Sequence, residues 1–113
     1  MNQATQWRIA FARQMTTIYA QNPKVRAIVI SGSVSRGQAD GYSDIELDLF
    51  WQKPPTEVER IRPIQQVNGR IIMIEPYADD EWSEDYHRPG RQPPAPTRFQ
   101  PQHRSHPLAA PTY

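Results

Sequence analysis

The sequence is most informative between residues 25 and 49, which read VRAIVISGSVSRGQADGYSDIELDL. Five of its first six residues are apolar and four are β-branched, which predicts a short buried strand. Gly32 follows this strand, and because it lacks a Cβ atom, backbone amides beside it can approach an anion closely. The hydroxyl of Ser33 adds a donor, and Arg36 can offer a planar fork of donors to a phosphate. The segment therefore predicts an anion-binding bend.

A second strand is predicted where acidic and aliphatic residues alternate. Side chains of a strand point alternately to its two faces, so Asp44, Glu46 and Asp48 share one face. The aliphatic residues between them then face a core. Asp44 and Glu46 lie about 6.6 Å apart along such a strand, so their carboxylates can converge on metal ions about 4 Å apart. Asp48 lies about 13 Å from Asp44 and is expected to support the site or the strand end.

Each of these elements also has an ordinary structural explanation. A Gly-Ser pair is most often a turn, an Asp-x-Glu pattern is most often a solvated sheet face, and Arg36 alone would be a surface residue. The joint order of apolar strand, Gly-Ser pair, glycine-containing loop and acidic strand favours a functional site.

This order of elements resembles the signature of the nucleotidyltransferase superfamily, the polymerase-β-like fold, including its bacterial antibiotic and minimal members. The matching residues are Gly32, Ser33, a ten-residue spacer, Asp44 and Glu46, while Ser31 stands where an apolar residue is commonest. The resemblance covers about residues 1–86. It implies an α/β (α+β) fold in which a small mixed sheet has flanking helices.

The resemblance implies transfer of a nucleoside monophosphate from an NTP, expected to be ATP, to an acceptor hydroxyl of a small molecule or a protein. Asp44 and Glu46 would be the catalytic residues that hold two Mg²⁺ ions, and Gly32, Ser33 and Arg36 would bind the nucleotide. The superfamily uses a third carboxylate on a neighbouring strand. Glu75, at the end of a strand predicted over residues 70–75, is the candidate, and a strand-end surface residue is its alternative explanation.

The composition changes abruptly at residue 87. All 12 acidic residues precede it, whereas the 27 residues from His87 to the last residue hold 4 arginines, all 3 histidines and 7 of the 12 prolines. Such a segment buries too little apolar surface to offset chain entropy, and its prolines oppose an inner strand. A disordered Pro/Arg-rich tail is therefore predicted over residues 87–113. It is either a natural segment or an unrelated translation after a frameshift, which would leave the domain over residues 1–86 truncated.

Two helices are predicted, one before the first predicted strand and one after the acidic strand. Trp7, Phe11, Met15 and Ile18 form one apolar stripe over residues 1–21, which is expected to pack on the core. A second helix begins after Thr56, runs toward residue 66 and should be interrupted near Pro63.

Composition limits the classes of function. The absence of cysteine excludes disulfides and cysteine-bound zinc and is compatible with a cytoplasmic protein. No stretch suits a membrane span, and a net charge of +1 gives no general attraction to nucleic acid. Membrane and nucleic acid are therefore not expected as partners. Three functions stay open: an enzyme, a non-catalytic nucleotide- or protein-binding module of antitoxin-like type, and an inactive fragment.

Overall fold

The computed structural model describes residues 2–38, 44–78, 81–87 and 98–104, with the backbone alone described for residues 75–78. The elements in chain order are α1 (Gln3–Ala20), β1 (Val25–Ser31), α2 (Gly32–Ser35), β2 (Ile45–Trp51), α3 (Glu57–Gln66), β3 (Arg70–Ala78), β4 (Glu81–His87) and β5 (Arg98–Arg104).

The strands form one five-stranded sheet in the order β1-β2-β5-β4-β3. Strand β5 runs parallel to β2, and all other neighbours are antiparallel. The predicted class, a small mixed sheet with flanking helices, is confirmed. Within the described residues, no helix combines the length and apolar character that a bilayer span requires.

Helix α1 forms as predicted. The side chain of Asn2 caps it by accepting a hydrogen bond from the Thr5 amide at 2.7 Å. Phe11 and Met15 are buried, and Trp7 packs against the same core, as the apolar stripe predicted. The helix therefore contributes its apolar face to the protein interior.

Helix α3 differs from its prediction in one respect. Thr56 and Glu59 form a reciprocal capping box, but the helix continues through Pro63 to Gln66 without interruption. Pro63 removes one backbone hydrogen bond, and the burial of its ring offsets part of that loss. Partial burial would raise the pKa of Glu59, but hydrogen bonds from Lys24, the Thr56 amide and Asn22 lower it to about 2.

The core lies on one face of the sheet. Along β2 the aliphatic residues are fully buried and the acidic residues are half-buried, as the alternation predicted. The buried apolar residues come from α1, α2, β2, α3, β4 and β5: Phe11, Ala12, Met15, Tyr19, Val34, Ile45, Leu47, Leu49, Trp51, Ile64, Tyr86 and Phe99.

A chain of hydrogen bonds crosses this core. Trp51 Nε1 donates to His103 Nδ1 at 3.1 Å, and His103 Nε2 lies 2.7 Å from Glu84 Oε1. Because an indole N–H can only donate, His103 Nδ1 must accept, so Nε2 carries the proton and donates to Glu84. Arg60 Nε donates to the other oxygen of Glu84 at 2.6 Å. The network therefore joins β2, β5, β4 and α3 in the interior.

The prediction of a disordered tail is wrong for Arg98–Arg104, which forms the central strand of the sheet. Phe99 and His103 are fully buried, and Pro101 is also buried. His103 is tolerated inside because both ring nitrogens are hydrogen-bonded, and Pro101 removes only one backbone donor. The folded unit therefore extends to Arg104 instead of ending at residue 86. Residues 88–97 and 105–113 of the predicted tail lie outside the described residues.

Candidate functional site

The bend after β1 lies directly against β2. Ser31 pairs with Glu46 in the antiparallel register, and Gly32 follows with a φ of +76°. A Cβ atom at Gly32 would overlap Oε2 of Glu46. The left-handed backbone favours glycine here, and the Glu46 carboxylate, the end of a flexible side chain, lies in the space that a Cβ atom would take. Two residues predicted from separate motifs, Gly32 and Glu46, are thus brought into contact.

Asp44 lies on the same face of β2 as Glu46. The residue between them, Ile45, is fully buried, whereas Asp44 and Glu46 both keep partial exposure. The two carboxylates therefore share the face of the sheet opposite the core, as predicted. Most of the predicted loop before them, residues 39–43, lies outside the described residues.

Ser33 and Arg36 lie beside this bend, in α2 and directly after it. Ser33 is half-buried in α2, and its carbonyl accepts a hydrogen bond from the Gln38 amide at 2.9 Å. Arg36 is exposed, and its Nε donates to Gln38 Oε1 at 3.4 Å. An exposed arginine of this kind is free to reorient toward a ligand.

The sheet order separates Glu75 from the acidic pair. Strand β3 lies three strand positions from β2, which places the backbone of residue 75 about 14 Å from β2. The prediction had assumed that β3 neighbours β2, but β5 and β4 are inserted between them. The topology therefore does not bring Glu75 to Asp44 and Glu46. Its side chain lies outside the described part of the structure.

Sequence reasoning missed Arg98, which contacts the site directly. Its Nη2 donates to Asp44 Oδ2 at 2.9 Å, and its Nη1 lies 3.9 Å from Asp85 Oδ2. The hydrogen bond to Asp44 and the charge of Asp44 raise the pKa of Arg98, with smaller contributions from Asp85 and Glu46. Arg98 therefore supplies a positive charge beside three carboxylates.

A second arginine of β5 makes a similar pair of contacts at the other end of the strand. Arg104 lies 3.5 Å from Asp48 and 3.1 Å from Glu81, so it also bridges β2 and β4. Glu81 belongs to β4, which covers Glu81–His87. One feature of the sequence agrees with these ion pairs: all acidic residues lie before residue 87, and the last four arginines lie after it.

Gln100 fills the space between the acidic rows of β2 and β4. It pairs with Glu46 in the β2–β5 register, and its Nε2 donates to Asp85 Oδ1 at 2.9 Å. An amide thus occupies the position beside Glu46 on the neighbouring strand. Among the residues that the structure describes, no three His, Cys, Asp or Glu side chains are grouped to hold a metal ion.

The acidic pair nevertheless fits a magnesium ion that arrives with a nucleotide. Mg²⁺ prefers oxygen ligands, keeps several waters, and is bound in phosphate-transferring sites by one or two carboxylates together with substrate phosphates. Asp44 and Glu46 supply two carboxylates on one strand face, next to a bend at Gly32. Arg98 opposes such an ion, because its guanidinium already pairs with Asp44.

A separate groove lies on the other side of the domain, between the end of α1 and α3. It encloses about 370 Å³ and is lined by Tyr19, Trp51, Pro63, Glu59 and Arg62, among others. None of the predicted site residues lines it. The groove is therefore not part of the acidic site.

Comparison with known protein families and with curated proteins finds no match for this chain. A functional assignment therefore depends on the residues of the site and their geometry.

Proposed function

We propose that this chain is a nucleotidyltransferase domain that binds an NTP with Mg²⁺ and transfers its nucleoside monophosphate to an acceptor hydroxyl. The observation that carries the proposal is the contact between Gly32 and the Glu46 carboxylate, with Asp44 on the same strand face. Two motifs that are 14 residues apart in the sequence meet at one point. Nucleotidyl transfer needs hydrogen-bond donors to the phosphates close to carboxylates that bind the metal ions. The contact between the two motifs therefore supports the assignment more than either motif alone.

Each residue has a stated role in the proposed reaction. Backbone amides of the bend at Gly32 would donate to one phosphate oxygen, and the Ser33 hydroxyl would donate to another. Asp44 and Glu46 hold the metal ions, which when bound would activate the acceptor hydroxyl and neutralise the triphosphate. The acceptor oxygen forms a bond to the α-phosphorus as the bond to pyrophosphate breaks. Arg36 is the candidate for neutralising the pyrophosphate that leaves.

Turnover is expected to be slow in this copy. No third carboxylate joins Asp44 and Glu46 within the described residues, and Gln100 stands beside Glu46 instead. An amide cannot accept a proton from the acceptor hydroxyl as a carboxylate can. These observations favour a second candidate, in which the chain binds a nucleotide without transferring it.

The test combines nucleotide binding with pyrophosphate release for a panel of NTPs in the presence of Mg²⁺. Asp44→Ala is expected to lower both NTP affinity and any release by more than about 100-fold, since even outer partners of metal ligands cost 10–100-fold. Asp48→Ala is the matched control, because it removes a carboxylate from the same strand face that pairs with Arg104. Its effect on both measurements should be small.

The outcomes separate the two candidates. Pyrophosphate release that depends on Asp44 supports nucleotidyl transfer. Mg²⁺-dependent NTP binding without pyrophosphate release supports the non-catalytic module. If wild type and Asp44→Ala bind NTP equally, or if neither binds, both candidates are contradicted, and the inactive-fragment hypothesis gains support.

Arg98→Gln is expected to strengthen the Mg²⁺-dependent binding of ATP about 2–5-fold, the range for an exposed ion pair. The guanidinium holds Asp44 at 2.9 Å, so a metal ion must displace it or share the carboxylate. Calorimetry of the wild-type and variant chains measures the change. Arg104→Gln is the control, because it also removes a bridging arginine but lies about 20 Å away along β5. Equal effects of the two substitutions would contradict competition at Asp44.

A further inference from the structure

Strand β3 forms one edge of the sheet, and β4 is the described element that packs closely against it. It pairs with β4 on one side, and the sheet ends there on its other side. The opposite edge, β1, differs because α1 packs against it. An open edge presents unpaired backbone donors and acceptors, which form a template for a further strand.

Four consecutive residues of β3 that follow the exposed Arg70 carry exposed apolar side chains, and these lie on both faces of the sheet. Ile71, Ile72, Met73 and Ile74 are 37%, 48%, 50% and 39% exposed. Ile71 pairs with Tyr86, which is in the core, whereas Met73 pairs with Asp85 on the polar face. Natural edge strands usually carry charges, prolines or β-bulges that hinder pairing. This run of four carries no charge and no proline, although its register against β4 shifts between Ile71 and Met73. Among the residues that the structure describes, the other large exposed apolar side chains, Val29 and Val58, lie on other elements.

We propose that the β3 edge, defined as residues 70–75, pairs antiparallel with the same edge of a second copy of this chain. The run of four apolar residues lies between Arg70 and Glu75 in the sequence. Antiparallel pairing sets the apolar runs against each other and brings the basic end of one strand near the acidic end of the other. Parallel pairing would align equal charges. The edge is therefore complementary to itself in one direction only.

The geometry of this pairing is a two-fold symmetric interface in which both copies use the same surface. A two-fold axis perpendicular to the sheet keeps the faces aligned and joins the two sheets into one of ten strands. Pro76 lacks a backbone donor, so the pairing is limited to the first part of β3. The interface is small, and a weak dimer with a micromolar dissociation constant is expected. This inference does not depend on the proposed enzymatic function.

Sedimentation equilibrium of the full chain over a range of concentrations tests the pairing. Wild type should show a reversible monomer–dimer equilibrium. Met73→Lys should raise the dissociation constant about tenfold or more, because the symmetric interface then meets two added charges. Met73 is half-exposed, so the monomer should keep its fold, which thermal unfolding checks. Val29→Lys is the matched control at 48% exposure on β1, and it should leave the equilibrium unchanged.

A charge exchange gives an independent test. Arg70→Glu and Glu75→Lys should each weaken the dimer, because each places like charges at the two ends of the interface. The double variant restores opposite charges and should recover most of the wild-type dissociation constant. The proposal is overturned if wild type stays monomeric at all concentrations, if Val29→Lys weakens association as much as Met73→Lys, or if the double variant is weaker than both single variants.

Discussion

A chain that ends at His87 is expected to lose its cooperative unfolding transition. Truncation there removes β5, which lies between β2 and β4 and pairs with both. It also removes the fully buried side chains of Phe99 and His103. Loss of one buried phenylalanine side chain alone costs about 3–5 kcal/mol, while a whole domain is stable by only about 5–15 kcal/mol. Circular dichroism during thermal unfolding measures the result.

The matched control for this truncation is a chain that ends at Arg104. It keeps every described strand and should unfold cooperatively, close to the full-length chain. If the chain that ends at His87 unfolded with the same midpoint as this control, the central position of β5 would be wrong. The prediction of an incomplete domain over residues 1–86, followed by a disordered tail, would then describe the protein better.

Replacing Glu84 by alanine is expected to destabilise the fold by about 3–5 kcal/mol, as does breaking other buried ion pairs. Glu84 is fully buried and accepts from Arg60 Nε and His103, so its removal takes a carboxylate acceptor from both, while Arg60 Nη2 keeps its hydrogen bond to the Ser83 carbonyl. Trp51 would still hold the other ring nitrogen. Urea unfolding of the wild type and the variant measures the difference in free energy.

Glu81→Ala provides the comparison, since Glu81 lies on the same strand but pairs with Arg104 at the surface. An exposed ion pair contributes about 0–1 kcal/mol, so its removal should cost little. If both substitutions cost less than about 1 kcal/mol, the buried network would not stabilise the fold. A large loss of unfolding free energy for Glu84→Ala, with a small loss for Glu81→Ala, would support a stabilising role for the buried network.

The local features of the N-terminal part could be predicted from the sequence because they depend on near neighbours in the chain. The apolar stripe around Phe11 gave α1, the run before Ser31 gave β1, and the acidic alternation at Asp44 and Glu46 gave β2 and its two faces. Thr56 marked the start of α3. These signals are periodicities and caps, which short-range sterics and hydrogen bonds impose within one element.

The candidate site could be predicted only in part. Gly32, Asp44 and Glu46 were identified from their spacing, but Arg98 and Gln100 were not, because they reach the site through strand pairing across more than 50 residues. Glu75 was assigned to the site on the assumption that β3 lies beside β2, and the strand order separates them. Strand order depends on long-range pairing, which periodicity within a segment cannot specify.

The difference between local signals and long-range pairing also explains why the prediction of a disordered tail is wrong for residues 98–104. Average composition indicated that residues 98–104 could not fold, yet the alternation of Phe99, Pro101 and His103 with polar residues matches one buried face. The burial of this strand depends on partners elsewhere: Trp51 and Glu84 for its histidine, and carboxylates of β2 and β4 for its two arginines. The amino-acid order alone thus set the elements and the acidic pair. Tertiary structure alone decided which strand lies at the centre, because hydrogen bonds and opposite charges between distant segments stabilise it.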